Sequence, residues 1–255
     1  MNNDRIQEIL DLMEEARLDY FLISDPQSIA YCTGYYNDPH ERMFVFMISK
    51  HGNHTLFMND LFYLEHDLDV NIVWHKDGQD AIQTIVDEMH FPGRIGIDKN
   101  WASHFLLDLM KKLPDAKYIN ASPCVDLVRM KKDLQEQVLM IESSKINDAV
   151  MEEIIPFIQE GVTEKQLAKK LDELFFNHHS TCYGAIVAFG KNAADPHHEN
   201  DDTPLRKGDC VLIDMGCVYK GYCSDMTRTF FYEGILEEEI KVYEIVKKAN
   251  EAAEA

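Results

Sequence analysis

The stretch VLIDMGCVYKGYCSDMTRTFF, Val211 to Phe231, decides how the second half of this 255-residue chain is read. Two apolar, β-forming runs flank a Tyr-Lys-Gly-Tyr turn, the pattern of a β-hairpin. Each run carries an aspartate, Asp214 in the first and Asp225 in the second, although aspartate is depleted in strands. The two are eleven residues apart, and the turn decides where they fall. A two-residue turn at Tyr219-Lys220 sets them directly opposite each other, and one at Lys220-Gly221 sets them diagonally on the same face. A three-residue loop sends them to opposite faces.

Cross-strand neighbours on one face lie roughly 5 Å apart at Cβ. Two carboxylates that close repel each other, and burial would raise at least one of their pKa values. A divalent cation removes the repulsion, because carboxylate oxygens are the donors that Mg²⁺, Mn²⁺ or Co²⁺ take. Spacing alone leaves open a second arrangement, with both aspartates facing water on the polar side of a half-covered sheet. Two ligands do not hold a metal by themselves, so further donors are required.

Upstream, FGKNAADPHHEN (Phe189 to Asn200) follows a strand and places His197 and His198 behind a proline in a Gly/Asn/Asp-rich loop, a common position for working residues. A histidine there can hydrogen-bond a developing oxyanion or shuttle a proton; a lone loop histidine can equally be a bystander. His178 and His179 end a helical pattern, and adjacent helical residues point about 100° apart, so they read as surface.

The rest of the chain supplies the frame. Helix and strand signals alternate through the first half: Ile6, Ile9, Leu10 and Met13 form a helical stripe, and DYFLISD, MFVFMIS, VNIVWH, RIGID and KYIN read as strands or short apolar runs. DAIQTIVDEMH and WASHFLLDLMKKL read as helices. This order predicts an α/β layer domain with some parallel pairing. The alternation stops at ASPCVDLVRMKKD, read as a proline, a short extended piece and a basic cluster, and the domain boundary is placed at residues 125–132. The expected division is 1–125 and 126–255. Asp133 with Glu136, and Thr163 with Gln166, have the spacing of capping boxes that open two helices, the first expected to end near Pro156. A last helix from about Leu236 runs to Ala255 without a Gly or Pro stop signal, as if cut in mid-element.

Composition sets outer bounds. The formal charge of −20, from 25 basic and 45 acidic residues, argues against nucleic acid or an anionic membrane as partner, since both select a basic face. No apolar run approaches the ~20 residues needed to span a bilayer, and the charged amphipathic N-terminus does not resemble a signal peptide. Cys32, Cys124, Cys182, Cys210, Cys217 and Cys223 fall at no zinc-finger spacing and are expected to be buried free thiols in a cytoplasmic protein. There is no GxSxG elbow, Walker loop or HExxH.

Together, FGKNAADPHHEN and LRKGDCVLIDMGCVYKGYCSDMTRTFF resemble the Xaa-Pro dipeptidase (prolidase) and aminopeptidase P branch of the pita-bread metallopeptidases. The matching features are Gly190, Asn192, Pro196 and His197, the Gly208-Asp209 turn, IDMG and SDMTRT; VRMKKDLQEQVLMIESSKINDA also looks like the link between that family's two domains. The resemblance implies an α/β (α+β) chain, with a creatinase-like N-terminal domain followed by a pita-bread catalytic domain, expected to be incomplete here. It further implies two divalent metal ions, Mn²⁺ or Co²⁺, whose bridging hydroxide attacks the peptide bond before proline. By the same motifs Asp214 and Asp225 match metal ligands and His197 matches a catalytic histidine; His198 matches nothing. The family's histidine ligand, further substrate-contacting histidine and two glutamate ligands have no counterpart in matching context. The expectation is therefore a C-terminally truncated Xaa-Pro peptidase acting on proline-containing peptides, expected as a homodimer. Two alternatives stand beside it: a non-catalytic binding or interaction module, and a creatinase-like amidine hydrolase, which the aspartate pair disfavours.

Overall fold

Strand β1 (Tyr20–Ile23) shows why the first unit has three layers. Phe21 and Ile23 are buried in one apolar cluster, Tyr20 and Leu22 in another, so the alternating side chains of one strand serve two cores. The computed structural model of the chain describes residues 1–90 and 92–254. They form two compact units, Met1–Lys131 and Lys132–Ala255.

The first unit runs α1 (Asn3–Glu15), β1, α2 (Pro26–Thr33), β2 (Val45–Ser49), β3 (Thr55–Asn59), β4 (Asn71–His75), α3 (Ala81–Asp87), β5 (Arg94–Ile97), α4 (Ser103–Lys112), β6 (Lys117–Asn120) and α5 (Ser122–Met130). Its six strands are ordered β4-β3-β2-β1-β5-β6. The pairs β3–β4, β1–β5 and β5–β6 are parallel, and β1–β2 and β2–β3 antiparallel. Ile6, Ile9 and Met13 of α1 with Val125 and Val128 of α5 cover one face, and Ile82, Ile85 and Leu109 of α3 and α4 cover the other. The mixed α/β class expected from the alternation is the class observed.

Three elements of the first unit differ from the sequence reading, among them β3, whose residues Thr55 to Asn59 carry no strand in that reading although all five are buried. The stretch expected to be extended after Ala121 is α5, with Pro123 in its first turn, where a missing N–H costs nothing, and Cys124, Val125 and Val128 buried. The helix α2 was not anticipated, although its signals are plain. Asp25 caps the first turn through Ser28 N, Pro26 opens it, and Gly34 closes it in the left-handed conformation at φ +80°.

The second unit contains α6 (Leu134–Ile154), a 3₁₀ turn (Ile155–Phe157), α7 (Glu164–Asn177), β7 (Thr181–Cys182), β8 (Ile186–Phe189), a 3₁₀ turn (Gly190–Ala194), β9 (Cys210–Tyr219), β10 (Tyr222–Phe231) and α8 (Glu237–Glu254). Both capping boxes form, Asp133 with Glu136 and Thr163 with Gln166. The sheet is antiparallel, with β9 between β10 on one side and β7 and β8 on the other. Val150, Met151 and Ile154 of α6, and Leu167, Leu171 and Phe175 of α7, pack on Val211, Ile213, Met215 and Cys217. These odd-numbered β9 residues fill the core, so the even-numbered ones lie on the opposite face. Asn147 of α6 donates to Met215 O at 3.4 Å, fixing helix to strand. Helix α8 has no buried residue.

Candidate functional site

The hairpin turn settles the placement of the aspartates. Tyr219 pairs with Tyr222, and the turn residues Lys220 and Gly221 both have positive φ, +48° and +85°. That is the two-residue turn whose twist matches that of the flanking strands, and glycine supplies the second position without Cβ strain. Of the alternatives considered, the turn is therefore Lys220-Gly221. Asp214 pairs with Thr227 and Asp225 with Gly216, so the two aspartates are diagonal neighbours on one face, the face opposite the core.

Local contacts organise this face. Thr227 Oγ1 donates to Asp214 Oδ1 at 2.7 Å, holding one oxygen of that carboxylate. Tyr183, in the loop between β7 and β8, donates its hydroxyl to Ser224 O at 2.7 Å. Burial, followed by the charges of Asp225, Cys223 and Asp214, pushes the Tyr183 hydroxyl up to about 12. The phenol therefore stays protonated beside the carboxylates. Gly216 is required by close approach: a Cβ there would lie well under 3.0 Å from both Tyr183 Oη and Ser224 O. The glycine of IDMG thus makes room for a tyrosine and the neighbouring strand, while Asp225 stands across from it.

His197 lies on the exposed loop after β8. Its backbone N–H donates to Asp195 Oδ1 at 3.0 Å, and its ring has no hydrogen-bond partner among the described residues. The loop is joined to the aspartate sheet through β8, where Ile186 pairs with Asp214. Its neighbour His198 is half-buried and engaged: Nε2 lies 2.7 Å from Glu164 Oε2. The hydrogen bond to Glu164, with the charges of Glu164, Asp201 and Asp195, raises the His198 pKa against the opposing effect of burial.

Glu164, His198 and Asp201 bring potential ligand atoms within 4.8 Å of one another. The hydrogen bonds argue against an open cation site. Glu164 Oε1 accepts from Phe189 N and Asn192 Nδ2, at 2.8 and 2.9 Å. Its Oε2 accepts from Asp201 N at 3.0 Å and contacts His198 Nε2. A carboxylate offers about four lone-pair positions, and all four are taken. Among the described residues, no third His, Cys, Asp or Glu forms such a cluster with Asp214 and Asp225.

Sequence reasoning missed Tyr183, Thr227 and Glu164. Thr227 becomes legible once the turn is fixed, because register then makes it the partner of Asp214. Glu164 carried a signal in its position at the start of α7, but its four partners come from the end of β8 and the loop after it, 25 to 37 residues on. The cysteine expectation requires correction. All six are free, yet only Cys32, Cys124 and Cys217 are buried; Cys182 and Cys210 are half-buried, and Cys223 is exposed. Cys223 shares the face of the hairpin opposite the core with Asp225, and at the far end of that face the Phe231 ring packs edge-on against Tyr243 of α8, with centroids 6.2 Å apart.

Residues 138–255 match the metallopeptidase family M24, and residues 5–131 match the creatinase/prolidase N-terminal domain. The chain belongs to metallopeptidase family M24. A dipeptidase from Pyrococcus horikoshii OT3 is 32% identical with a TM-score of 0.86, over 98% of this chain and 71% of that one. A recombinant prolidase from Thermococcus sibiricus is 29% identical with a TM-score of 0.90, over 99% and 71% of the two chains. An uncharacterized peptidase of Staphylococcus aureus is 28% identical over 98% of this chain and 72% of the relative. Membership in M24 makes this a peptidase-family chain with a creatinase-like N-terminal domain and a pita-bread domain, from a family that uses divalent metal. Among the described residues, no helix is long and apolar enough to cross a membrane.

Proposed function

We propose that this M24 chain hydrolyses the Xaa-Pro bond of dipeptides or peptide N-termini, using divalent metal ions held in part by Asp214 and Asp225. The observation that carries the reading is the diagonal pair of carboxylates on the open face of β9 and β10. Their chemistry fits the group: both are hard oxygen donors of the kind Mn²⁺ and Co²⁺ accept. They fit as part of a ligand set, since two carboxylates leave most coordination positions to other donors.

Divalent metal, when bound, polarises the scissile carbonyl and lowers the pKa of water so that it attacks at neutral pH. The remaining roles belong to the chain. Thr227 holds Asp214 Oδ1 and leaves Oδ2 for a cation. Tyr183 keeps its proton and ties the loop after β7 to the strand that carries Asp225. His197 would donate a ring N–H to the carbonyl oxygen as negative charge develops there.

Hydrolysis of a series of Xaa-Pro peptides with added Mn²⁺ or Co²⁺, with Asp225→Asn as control, tests this reading. Metal-dependent turnover abolished by the substitution supports it, and turnover unaffected by the substitution refutes the ligand assignment. The absence of turnover and of metal binding would favour the interaction-module reading. The exposed apolar residues of α8, Ile240, Tyr243 and Val246 among them, support that alternative.

A further inference from the structure

His198 is the one chemically versatile side chain of the DPHHEN loop that the proposed reaction leaves without a task. It is also the better held of the histidine pair. Its side chain is 13% exposed and contacts a carboxylate that is 0% exposed, Glu164 at the first turn of α7. His197, by contrast, has no ring partner among the described residues, so the backbone on either side must fix its position.

That backbone converges on Glu164. Before His197, the carboxylate accepts from Phe189 N, where β8 ends, and from Asn192 Nδ2 in the 3₁₀ turn. After His197, it takes His198 Nε2 and Asp201 N. One buried group therefore grips the loop on both sides of the exposed histidine. Asn200 adds an anchor to β8, accepting from Val187 N and donating to Ala185 O, both at 2.7 Å. Since β8 is paired with β9 at Ile186 and Asp214, the loop and the aspartate pair share one frame. Loss of His198 would leave a buried carboxyl oxygen of Glu164 short of a hydrogen-bond partner, which is costly for a buried polar group.

We propose that Glu164 and His198 are positioning residues for His197, closing loop 190–201 onto the first turn of α7 and thereby holding the backbone that presents His197 to the substrate. The inference rests on the assignment of His197 proposed above. It also explains why Asn192 and the second histidine accompany His197 in a loop whose tip is exposed.

The test compares the full chain with its His198→Ala, His198→Gln and Glu164→Gln variants. The readouts are amide hydrogen exchange, the NMR shifts of the His197 ring, and kcat and KM on an Xaa-Pro dipeptide with Mn²⁺. Glutamine at 198 keeps an N–H donor near the position of Nε2. The expected result for His198→Ala is exchange about tenfold faster across 190–203 with β9 and β10 unchanged, and a displaced His197 ring signal. Its kcat should fall about tenfold with KM within about twofold, as a misplaced group would cause. His198→Gln should recover most of each effect. Wild-type exchange and ring shifts in His198→Ala would overturn the proposal, as would a loosened loop with unchanged kcat. If the unsubstituted chain shows no turnover, the peptidase reading fails, while exchange and ring shifts still decide whether Glu164 and His198 hold His197. Should Glu164→Gln not fold, the alanine and glutamine variants at 198 carry the comparison.

Discussion

Replacing Gly216 with alanine would add a single methyl group at the point where the hairpin is tightest. That methyl would lie well under 3.0 Å from Tyr183 Oη and from Ser224 O. The tyrosine can swing away, giving up its 2.7 Å hydrogen bond to Ser224, a loss of about 1 kcal/mol. The carbonyl cannot, because Ser224 lies in the middle of β10, whose ladder with β9 runs from Tyr222 to Phe231. Overpacking of this kind costs roughly 1–3 kcal/mol, and a backbone obstacle places Gly216 at the upper end. The sum is about 3–4 kcal/mol, equivalent to a drop of about 10 °C or more in the unfolding midpoint of a unit of this size. Calorimetry on the wild type, Gly216→Ala and the double variant with Tyr183→Phe measures it. Removing the hydroxyl should recover less than half of the loss, since the Ser224 carbonyl remains. Because Asp225 is the cross-strand partner of Gly216, Mn²⁺ affinity should fall in the same variant. A Gly216→Ala protein within about 0.5 kcal/mol of wild type, a change typical of neutral surface sites, would refute the close-approach argument.

Three further outcomes are expected. Gly221→Ala places a Cβ at φ +85° and should destabilise the C-terminal unit by about 1–2 kcal/mol in denaturant titration, whereas Gly221→Asn should cost less. In native protein, a thiol reagent should modify Cys223 first, with Cys32 and Cys217 protected until unfolding; burial also holds the Cys32 thiol near 12 and the Cys182 thiol near 11. The third concerns His198, whose raised pKa comes chiefly from the hydrogen bond to Glu164. The charges acting on its ring are those of Glu164, Asp201 and Asp195, and it lines a surface cleft together with Lys165, Lys169, Asp172 and Glu199. A histidine with a raised folded pKa contributes its full stabilisation below the unfolded value of about 6.5 and loses it as pH rises through the folded value. The unfolding midpoint should therefore decline as pH rises above the unfolded value and through the raised folded one, and His198→Gln should flatten that decline.

Much of this arrangement can be read from the sequence because its signals are local. Thr163 with Gln166 and Asp133 with Glu136 open helices by short-range hydrogen bonds, and both do so here. Parity alone placed Asp214 and Asp225 on one face for either two-residue turn. Choosing between direct and diagonal pairing needed the φ values at Lys220 and Gly221, and glycine in the second position was the clue. The region after Ala121 misled because Pro123 reads as a breaker when its place in a first turn is not recognised. Glu164 was out of reach for a different reason. Its position at the start of a helix is visible, but its partners Phe189, Asn192, His198 and Asp201 are brought to it only by the folded loop. Tyr183 likewise reaches Ser224 across forty-one positions, and no periodicity encodes that contact.

The most direct test of the central claim is a Mn²⁺ titration of the 255-residue chain, followed by electron paramagnetic resonance and calorimetry, beside Asp214→Asn and Asp225→Asn. The account predicts saturable Mn²⁺ binding that each substitution weakens by about 100-fold or more, beyond the 10–100-fold typical of losing a group that only supports a ligand. Glu164→Gln should leave the affinity within a few-fold of wild type. Binding that survives both aspartate substitutions and disappears with Glu164→Gln would contradict the account and move the metal to the cluster beneath the histidine loop.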